Sequence, residues 1–191
     1  MSRRRRTAAR RRRKQGNALL YVAGGFCLVG SILAVLVPAF LDEVRLSKTA
    51  EAAEMLQQMH LGASAYFASR QTVEGIEHRR CLPAAAGPSP ARPRVEARPF
   101  DFFDDESPDA VTWRVLSFRS GRPLRFSYRF VPVESGCDLR TPERTYIVSY
   151  RAEGDLDGDG VRSLFERRDA TSNTEDTLEP VGILFVRDRV E

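Results

Sequence analysis

Residues 17–41 read NALLYVAGGFCLVGSILAVLVPAFL and hold no charged side chain. As an α-helix this stretch would extend for about 37 Å, which is enough to cross a bilayer with some tilt. Basic residues precede it at Arg10–Lys14, and the acidic residues Asp42 and Glu43 follow it. The positive-inside rule therefore predicts a single-pass inner-membrane protein with a cytoplasmic N-terminus and a periplasmic domain formed by residues 42–191.

A cleavable secretory signal is the alternative interpretation of the same stretch. Val37-Pro38-Ala39 places small residues where a signal peptidase could cut. The apolar run is longer than the about 7–15 residues usual in such signals, which favours a retained anchor.

The charge of the chain is divided unevenly. Residues 1–14 contain eight arginines, one lysine and no acidic residue. The remaining residues hold 21 of the 30 basic residues and all 26 acidic ones, so their net charge is −5. An acidic remainder gives no reason to expect nucleic acid as its partner. A length of 191 residues allows one domain with a sizeable core in addition to an anchor.

The segment after the apolar stretch has helical periodicity. Over residues 42–70, apolar side chains recur at spacings of three and four, which predicts an amphipathic continuation of the helix that packs against a sheet. The stripe consists of Ala52, Leu56, Met59, Ala63 and Tyr66.

The remainder of the chain predicts a loop-rich connector, residues 71–110, and a β-sheet headpiece, residues 111–191. Prolines are frequent between Cys81 and Pro99, which is typical of irregular structure. Apolar and polar side chains alternate over residues 124–130, LRFSYRF, which predicts a half-buried strand with one arginine-bearing face. Residues 145–151 and 182–187 predict further strands, and residues 111–118 are ambiguous, with Trp113 as a core anchor.

Two segments resemble the N-terminal helix of the type IV pilin and pseudopilin family. They are Ser31–Phe40, SILAVLVPAF, in which an apolar run leads into a proline, and Ser47–Ala53, SKTAEAA. The resemblance implies an α+β fold in which a long N-terminal helix, with a membrane part and an amphipathic part, packs on a C-terminal antiparallel sheet. It also implies a structural subunit of a pilus-like or pseudopilus assembly, which contacts other pilin-like subunits through that helix.

The same resemblance implies processing by a prepilin peptidase. With Pro38 in the family register, residues 1–16 form a basic leader that ends at Gly16, and Asn17 becomes the new N-terminus, open to N-methylation. The family usually has phenylalanine where Asn17 stands and glutamate where Tyr21 stands. Because Tyr21 supplies no charge to pair with a neighbouring subunit, the departure implies a minor or tip-located subunit. A second register, with cleavage after Gly25, restores the phenylalanine but displaces Pro38.

The cysteines and histidines indicate structural roles. Cys27 lies in the apolar stretch, whereas Cys81 and Cys137 are predicted to form a disulfide in an oxidising compartment. His60 and His78 show no nearby set of carboxylates or cysteines typical of a catalytic triad or zinc site. Because no nucleophile motif or phosphate-binding loop occurs either, the chain is not expected to be an enzyme.

The most specific local motif is residues 155–166, DLDGDGVRSLFE, which match the twelve-residue calcium-loop template. Residues 154–160, GDLDGDG, also resemble a segment near the C-terminus of deltaproteobacterial-type pilin-like proteins. The bound cation would be Ca²⁺, and Gly160 would permit the sharp turn. The predicted ligands are Asp155, Asp157, Asp159, the backbone carbonyl of Val161, Ser163 and Glu166.

Two interpretations of the loop and of the whole chain remain at this point. Aspartate and glycine are ordinary turn residues, so the loop could be a solvated acidic turn. The chain could also be a membrane-anchored periplasmic binding module, stabilised by calcium, that does not polymerise.

Overall fold

The computed structural model describes the backbone of residues 3–140, 146–172 and 176–188. Side chains are described from residue 25 onward, with residues 39 and 41–46 left out. The chain divides into two compact units, Met1–Val44 and Arg45–Glu191. Each unit is described by itself.

The described elements are two helices and eight strands. Five strands form a path in the order β3-β4-β5-β6-β7, β8 pairs with β6, and β1 and β2 form a separate hairpin. All described strand pairs are antiparallel. The elements are α1 Arg3–Ala68, β1 Gln71–Val73, β2 Ile76–His78, β3 Ala86–Ser89, α2 Ala110–Val115, β4 Ser127–Pro132, β5 Val148–Gly154, β6 Ser163–Thr171, β7 Leu178–Pro180 and β8 Phe185–Arg187.

The structure does not support the predicted membrane-spanning helix over residues 17–41. Among the residues that it describes, no helix is both long and apolar enough to cross a membrane. The pilin-like fold class is therefore corrected to a mostly antiparallel β-sheet domain. The single-pass inner-membrane location and the periplasmic domain, which depended on the anchor, are corrected with it.

In the second unit, one face of α1 packs on the sheet. The predicted stripe is correct at Ala52, Leu56, Met59 and Ala63, whose exposed fractions are at most 1%. Phe67 continues it in place of Tyr66, which is half-buried. The other wall of this core includes Phe126, Tyr128 and Phe130, which β4 and the residue before it direct toward the helix.

The half-buried carboxylate of Glu51 also joins α1 to β4. The Oε1 atom of Glu51 accepts hydrogen bonds from the backbone N–H of Arg125 at 2.9 Å, the N–H of Phe126 at 3.2 Å and the hydroxyl of Tyr128 at 3.0 Å. Burial, together with the negative charge of Glu51, raises the pKa of Tyr128 well above its usual value. The phenol therefore keeps the proton that it donates.

The ambiguous segment 111–118 overlaps the short helix α2. It places Trp113 in an aromatic cluster, where ring centroids are 5.5 Å from Phe102 and 5.0 Å from Phe118. The Trp113 indole N–H donates to Ser89 Oγ at 3.2 Å. Its predicted role as a core anchor is confirmed by an exposed fraction of 1%.

The remaining strand predictions are partly correct. The alternating segment 124–130 overlaps β4, residues 145–151 overlap β5 with Thr145 outside the described residues, and residues 182–187 overlap β8. The connector is less irregular than predicted, because it contains β1, β2 and β3. Strand β6 was not predicted, since its charged residues Glu166, Arg167, Arg168 and Asp169 interrupt the apolar pattern.

Replacing Gly62 with alanine is expected to destabilise the domain, although alanine normally favours a helix by about 1 kcal/mol over glycine. A Cβ atom at Gly62 would lie 2.0 Å from the backbone oxygen of Leu116. The helix α1 and the backbone at Leu116 would therefore have to move apart. Overpacking of this kind costs about 1–3 kcal/mol. Denaturant unfolding of Gly62→Ala measures the loss.

The matched control lies in the same helix. A Cβ atom at Gly30 meets no atom within 4 Å, so Gly30→Ala should leave the unfolding midpoint unchanged or slightly higher. An increase in stability in Gly62→Ala would contradict the predicted close approach.

Candidate calcium-binding loop

The candidate site is the loop between β5 and β6. The two strands are antiparallel, and their register ends with Gly154 opposite Ser163. Between these residues, carboxylate oxygens of Asp155, Asp157 and Asp159 all lie within 4.8 Å of one another. The structure therefore brings together three of the predicted ligands at one exposed turn.

Hydrogen bonds from backbone N–H groups to aspartate side chains shape the loop. Asp155 Oδ1 accepts from Gly158 N at 2.8 Å, Asp157 Oδ1 accepts from Asp159 N at 3.3 Å, and Asp159 Oδ1 accepts from Val161 N at 2.7 Å. Aspartate side chains commonly stabilise turns by such bonds to the backbone. Gly160 has a φ of +91°, a conformation that residues with a Cβ rarely adopt, so its predicted role in the turn is confirmed.

An apolar anchor holds the loop against the core. Leu156 is only 2% exposed and belongs to the main hydrophobic core, whereas Asp157 and Asp159 on the same loop are exposed. Leu156 therefore joins the loop to the core of the domain. A cation would act on the three carboxylates of this loop.

The electrostatics of the loop favour a hard cation. Three carboxylates within 4.8 Å repel one another when ionised, and a divalent cation converts this repulsion into attraction. Calcium is bound by six to eight oxygens, and carboxylates, backbone carbonyls and water supply them in proteins. The exposed Val161 follows Gly160, where the template places a carbonyl ligand.

The last two predicted ligands have other partners in the structure. Ser163 opens strand β6, is fully buried, and its Oγ donates to Gly154 O at 3.3 Å. Glu166 is 4% exposed and accepts from Arg151 Nε at 3.1 Å and from an amino group of Arg168 at 3.0 Å. Burial alone would raise the pKa of Glu166, but these two guanidinium groups outweigh it and lower that pKa.

At its twelfth position the chain differs structurally from the calcium-loop template. Its twelfth position closes the metal site because a helix begins within the motif and returns that glutamate to the loop. In this chain a strand begins at Ser163, so Glu166 lies on the sheet beside two arginines. Water molecules would have to supply the oxygens that Glu166 does not.

Both histidines have carboxylate partners that the sequence analysis missed. His60 Nδ1 lies 2.6 Å from Asp169 Oδ2, and His78 Nδ1 lies 2.9 Å from Asp138 Oδ2. The two pairs are separated by 109 and 60 residues along the chain, so no local spacing indicates them. Tyr150 completes the first group, because its hydroxyl donates to Asp169 Oδ2 at 2.7 Å.

The remaining predictions concern the cysteines and the processing site. The disulfide between Cys81 and Cys137 is present, and Cys27 is a free, exposed cysteine. The predicted processing depends on Gly16 and Asn17, which lie before residue 25, where the description of side chains begins. That prediction stays a prediction.

Comparison with protein-family models, with curated proteins and with solved structures finds no match to this chain. No family is therefore assigned. The function has to be argued from the residues themselves and from the resemblance of the N-terminal segments.

Calcium is expected to raise the unfolding temperature of the full chain, because it would bind the folded loop and relieve the repulsion among three carboxylates. At free calcium of 100 times the dissociation constant, linkage adds about 2.7 kcal/mol to the free energy of unfolding. Thermal unfolding in calcium and in chelator measures the shift.

The test variant is Asp157→Asn, which keeps an oxygen for the backbone bond but removes one charge; it should lose most of the calcium-dependent shift. Asp101→Asn is the control, since Asp101 Oδ1 likewise accepts a backbone N–H, that of Phe103, at 2.8 Å in a different exposed loop. Equal shifts in both variants would mean that the predicted site does not bind calcium.

Proposed function

We propose that this chain is a non-enzymatic structural subunit of a pilus-like or pseudopilus assembly. It joins that assembly through the apolar part of α1 and presents the β-sheet domain with its calcium loop. The resemblance of Ser31–Phe40 and Ser47–Ala53 to the helix of such subunits supports this proposal. The departure at Tyr21 favours a minor or tip position.

The observation that carries the proposal is the exposure of apolar side chains in the first unit. Nine large apolar residues between 26 and 40 are 49–76% exposed. Isolated exposed apolar residues are ordinary, but a continuous set of this size marks an interaction surface. They are Phe26, Leu28, Val29, Ile32, Leu33, Val35, Leu36, Val37 and Phe40.

The composition of this surface favours helix-to-helix packing. Gly25 and Gly30 present no side chain, and a Cβ atom at either would meet no other atom within 4 Å. Small residues among large apolar ones allow two helices to approach closely. Ser31 keeps its hydroxyl bonded to Cys27 O at 2.8 Å, so it adds no unsatisfied donor to such a contact.

The free Cys27 provides a direct test of assembly in the full chain. If apolar surfaces of neighbouring subunits meet, mild oxidation or a short thiol crosslinker should join Cys27 of one subunit to Cys27 of another. Leu36→Arg, in which a 58% exposed leucine becomes charged, should greatly reduce the crosslinked fraction. Leu61→Arg is the matched control, because Leu61 is 57% exposed on the same helix outside this surface.

The second candidate function is a calcium-stabilised binding module that does not polymerise. The convergence of three aspartates at the loop favours it, since that site needs no assembly. Failure of Cys27 to crosslink at any concentration, together with full labelling by a monofunctional thiol reagent, would refute the assembly proposal. A calcium-dependent unfolding shift in the same preparation would then support the binding module.

A further inference from the structure

The face of the sheet opposite the core is rich in arginine. In the register of β4, β5 and β6, Arg129 lies opposite Arg151, which lies opposite Glu166. Their neighbours along each strand, such as Tyr128 and Phe165, are buried in the core on the other face. We call this surface the arginine face and define it by Arg129, Arg151, Arg162 and Arg168.

Two carboxylates lie beneath the four guanidinium groups. Glu153 is 3.9 Å from Arg129 and 3.2 Å from Arg162, while Glu166 is 3.1 Å from Arg151 and 3.0 Å from Arg168. These carboxylate side chains are only 22% and 4% exposed, whereas the four arginine side chains are 35–45% exposed. The face therefore presents positive charge to the solvent, with two more cations than anions.

The ion pairs also leave donors available. Each arginine has five N–H groups, and a single shared carboxylate satisfies a minority of them. The buried Nε atom of Arg129 has no hydrogen-bond partner among the described atoms. The glutamates thus hold the four arginines in place, and each arginine side chain stays 35–45% exposed to solvent.

The same domain carries a surface of opposite charge, which we call the acidic loop, residues 101–106. Asp101, Asp104, Asp105 and Glu106 are exposed, and Arg114 pairs with Asp105. Asp101 and Asp104 accept backbone N–H groups from within the loop.

The acidic loop is attached to the core face of the sheet. Phe102 is 2% exposed and packs against Trp113 and Tyr128, whose rings lie on the core side. The arginine face lies on the other side. One domain cannot readily bring its own two surfaces together, but two copies can.

We propose that the arginine face of one copy binds the acidic loop of a second copy. Arginine and carboxylate form strong, charge-assisted hydrogen bonds, so the two surfaces match in chemistry as well as in charge. The contact uses different surfaces on the two copies, and a contact of that kind can be repeated by a third copy on the second. This proposal rests on the proposed function as a structural subunit. It adds a contact between β-sheet domains to the contact between helices.

The test mixes two forms of the full chain, both with Cys27→Ser and both retaining the Cys81–Cys137 disulfide. One form carries Glu106→Cys and the other Arg162→Cys. Mild oxidation of the mixture should yield a heterodimer in about tenfold excess over the dimers formed by either form alone. Salt at about 0.5 M should reduce that yield, because it screens exposed charges beyond a few ångströms.

Charge reversal tests the role of the acidic loop. Adding Asp104→Lys and Asp105→Lys to the Glu106→Cys form should lower the heterodimer yield by about tenfold, because like charges across an interface oppose binding. Glu134→Lys with Glu179→Lys makes the same net change at exposed positions outside the loop and should leave the yield unchanged. Equal yields with the two double reversals would overturn the proposal.

The outcomes separate this contact from assembly through α1. If Cys27 crosslinks in the unmodified chain but the Glu106→Cys and Arg162→Cys forms do not, the domain contact is wrong and the proposed function stands. If neither crosslink forms, both fail. If double-stranded DNA binds the chain and charge reversal in the acidic loop has no effect on the heterodimer, the arginine face serves a polyanion and the proposal is overturned.

Discussion

Asp169→Asn is expected to lower the free energy of unfolding by about 3–5 kcal/mol, because it removes a fully buried charge with several partners. Asp169 is 0% exposed on β6. Its Oδ2 atom lies 2.6 Å from His60 Nδ1 on α1 and accepts from the Tyr150 hydroxyl on β5 at 2.7 Å. Its Oδ1 atom lies 3.6 Å from Arg167 Nε.

An amide in place of this carboxylate cannot satisfy all of these groups. One of its ends would be NH₂, which would face either the His60 and Tyr150 side or the Arg167 side, and all of these are donors. Burial and the negative charge of Asp169 hold the pKa of Tyr150 well above its usual value, so Tyr150 stays a donor. The variant would therefore leave at least one buried donor without an acceptor.

The exposed His78 and Asp138 pair offers a matched control. Its Nδ1 to Oδ2 distance is 2.9 Å, but the side chains are 28% and 67% exposed. Since water can replace the lost bond, Asp138→Asn should change stability little. Denaturant unfolding measures the loss of stability in each variant. Similar losses in both would show that burial does not determine how much the interactions of Asp169 stabilise the domain.

Local periodicity was enough to predict the elements whose environment is apolar. The stripe from Ala52 to Ala63 and the alternation around Phe126 and Tyr128 each follow the period of their element, and each buries the predicted face. These residues need only an apolar surface, and any apolar surface of the right shape satisfies them. Their burial can therefore be inferred without knowledge of the partner.

Strand β6 was missed because most of its buried residues are polar or charged; Phe165 is the apolar exception. Glu166 and Asp169 are 4% and 0% exposed, and their charges are offset by arginines and a histidine from other elements or from β6 itself. A charge can be buried only where its partners are, and His60, the partner of Asp169, is 109 residues away in the sequence. The same fact limited the calcium prediction, since the twelfth position of the motif belongs to this strand.

For the apolar stretch, in contrast, an apolar composition led to a wrong prediction. Residues 17–41 satisfy the length and polarity expected of a membrane span, but the described part of the chain contains no helix that qualifies as one. Apolar residues are equally compatible with lipid and with the apolar face of another protein. Composition alone therefore does not distinguish these two environments.

Removal of the Cys81–Cys137 disulfide is expected to lower the free energy of unfolding by about 4 kcal/mol on the chain-entropy model. The bridge joins residues separated by 56 positions, and the loop that it closes contains Phe102, Trp113 and Tyr128 of the aromatic cluster. Without it, the unfolded chain gains conformations that the folded domain does not have.

The double variant Cys81→Ser with Cys137→Ser should unfold at a clearly lower denaturant concentration, and the oxidised wild type treated with a reductant should match it. Cys27→Ser is the control, because Cys27 is free and exposed and closes no loop. Backbone bonds already join the two ends of the loop, with Leu82 N donating to Gly136 O at 2.8 Å and Gly136 N donating to Leu82 O at 3.0 Å. If these bonds alone held the ends together in the unfolded chain, the double variant would keep the wild-type midpoint. The two hydrogen bonds break when the domain unfolds, whereas the disulfide remains in the unfolded chain. The disulfide alone therefore lowers the conformational entropy of the unfolded chain by closing the loop.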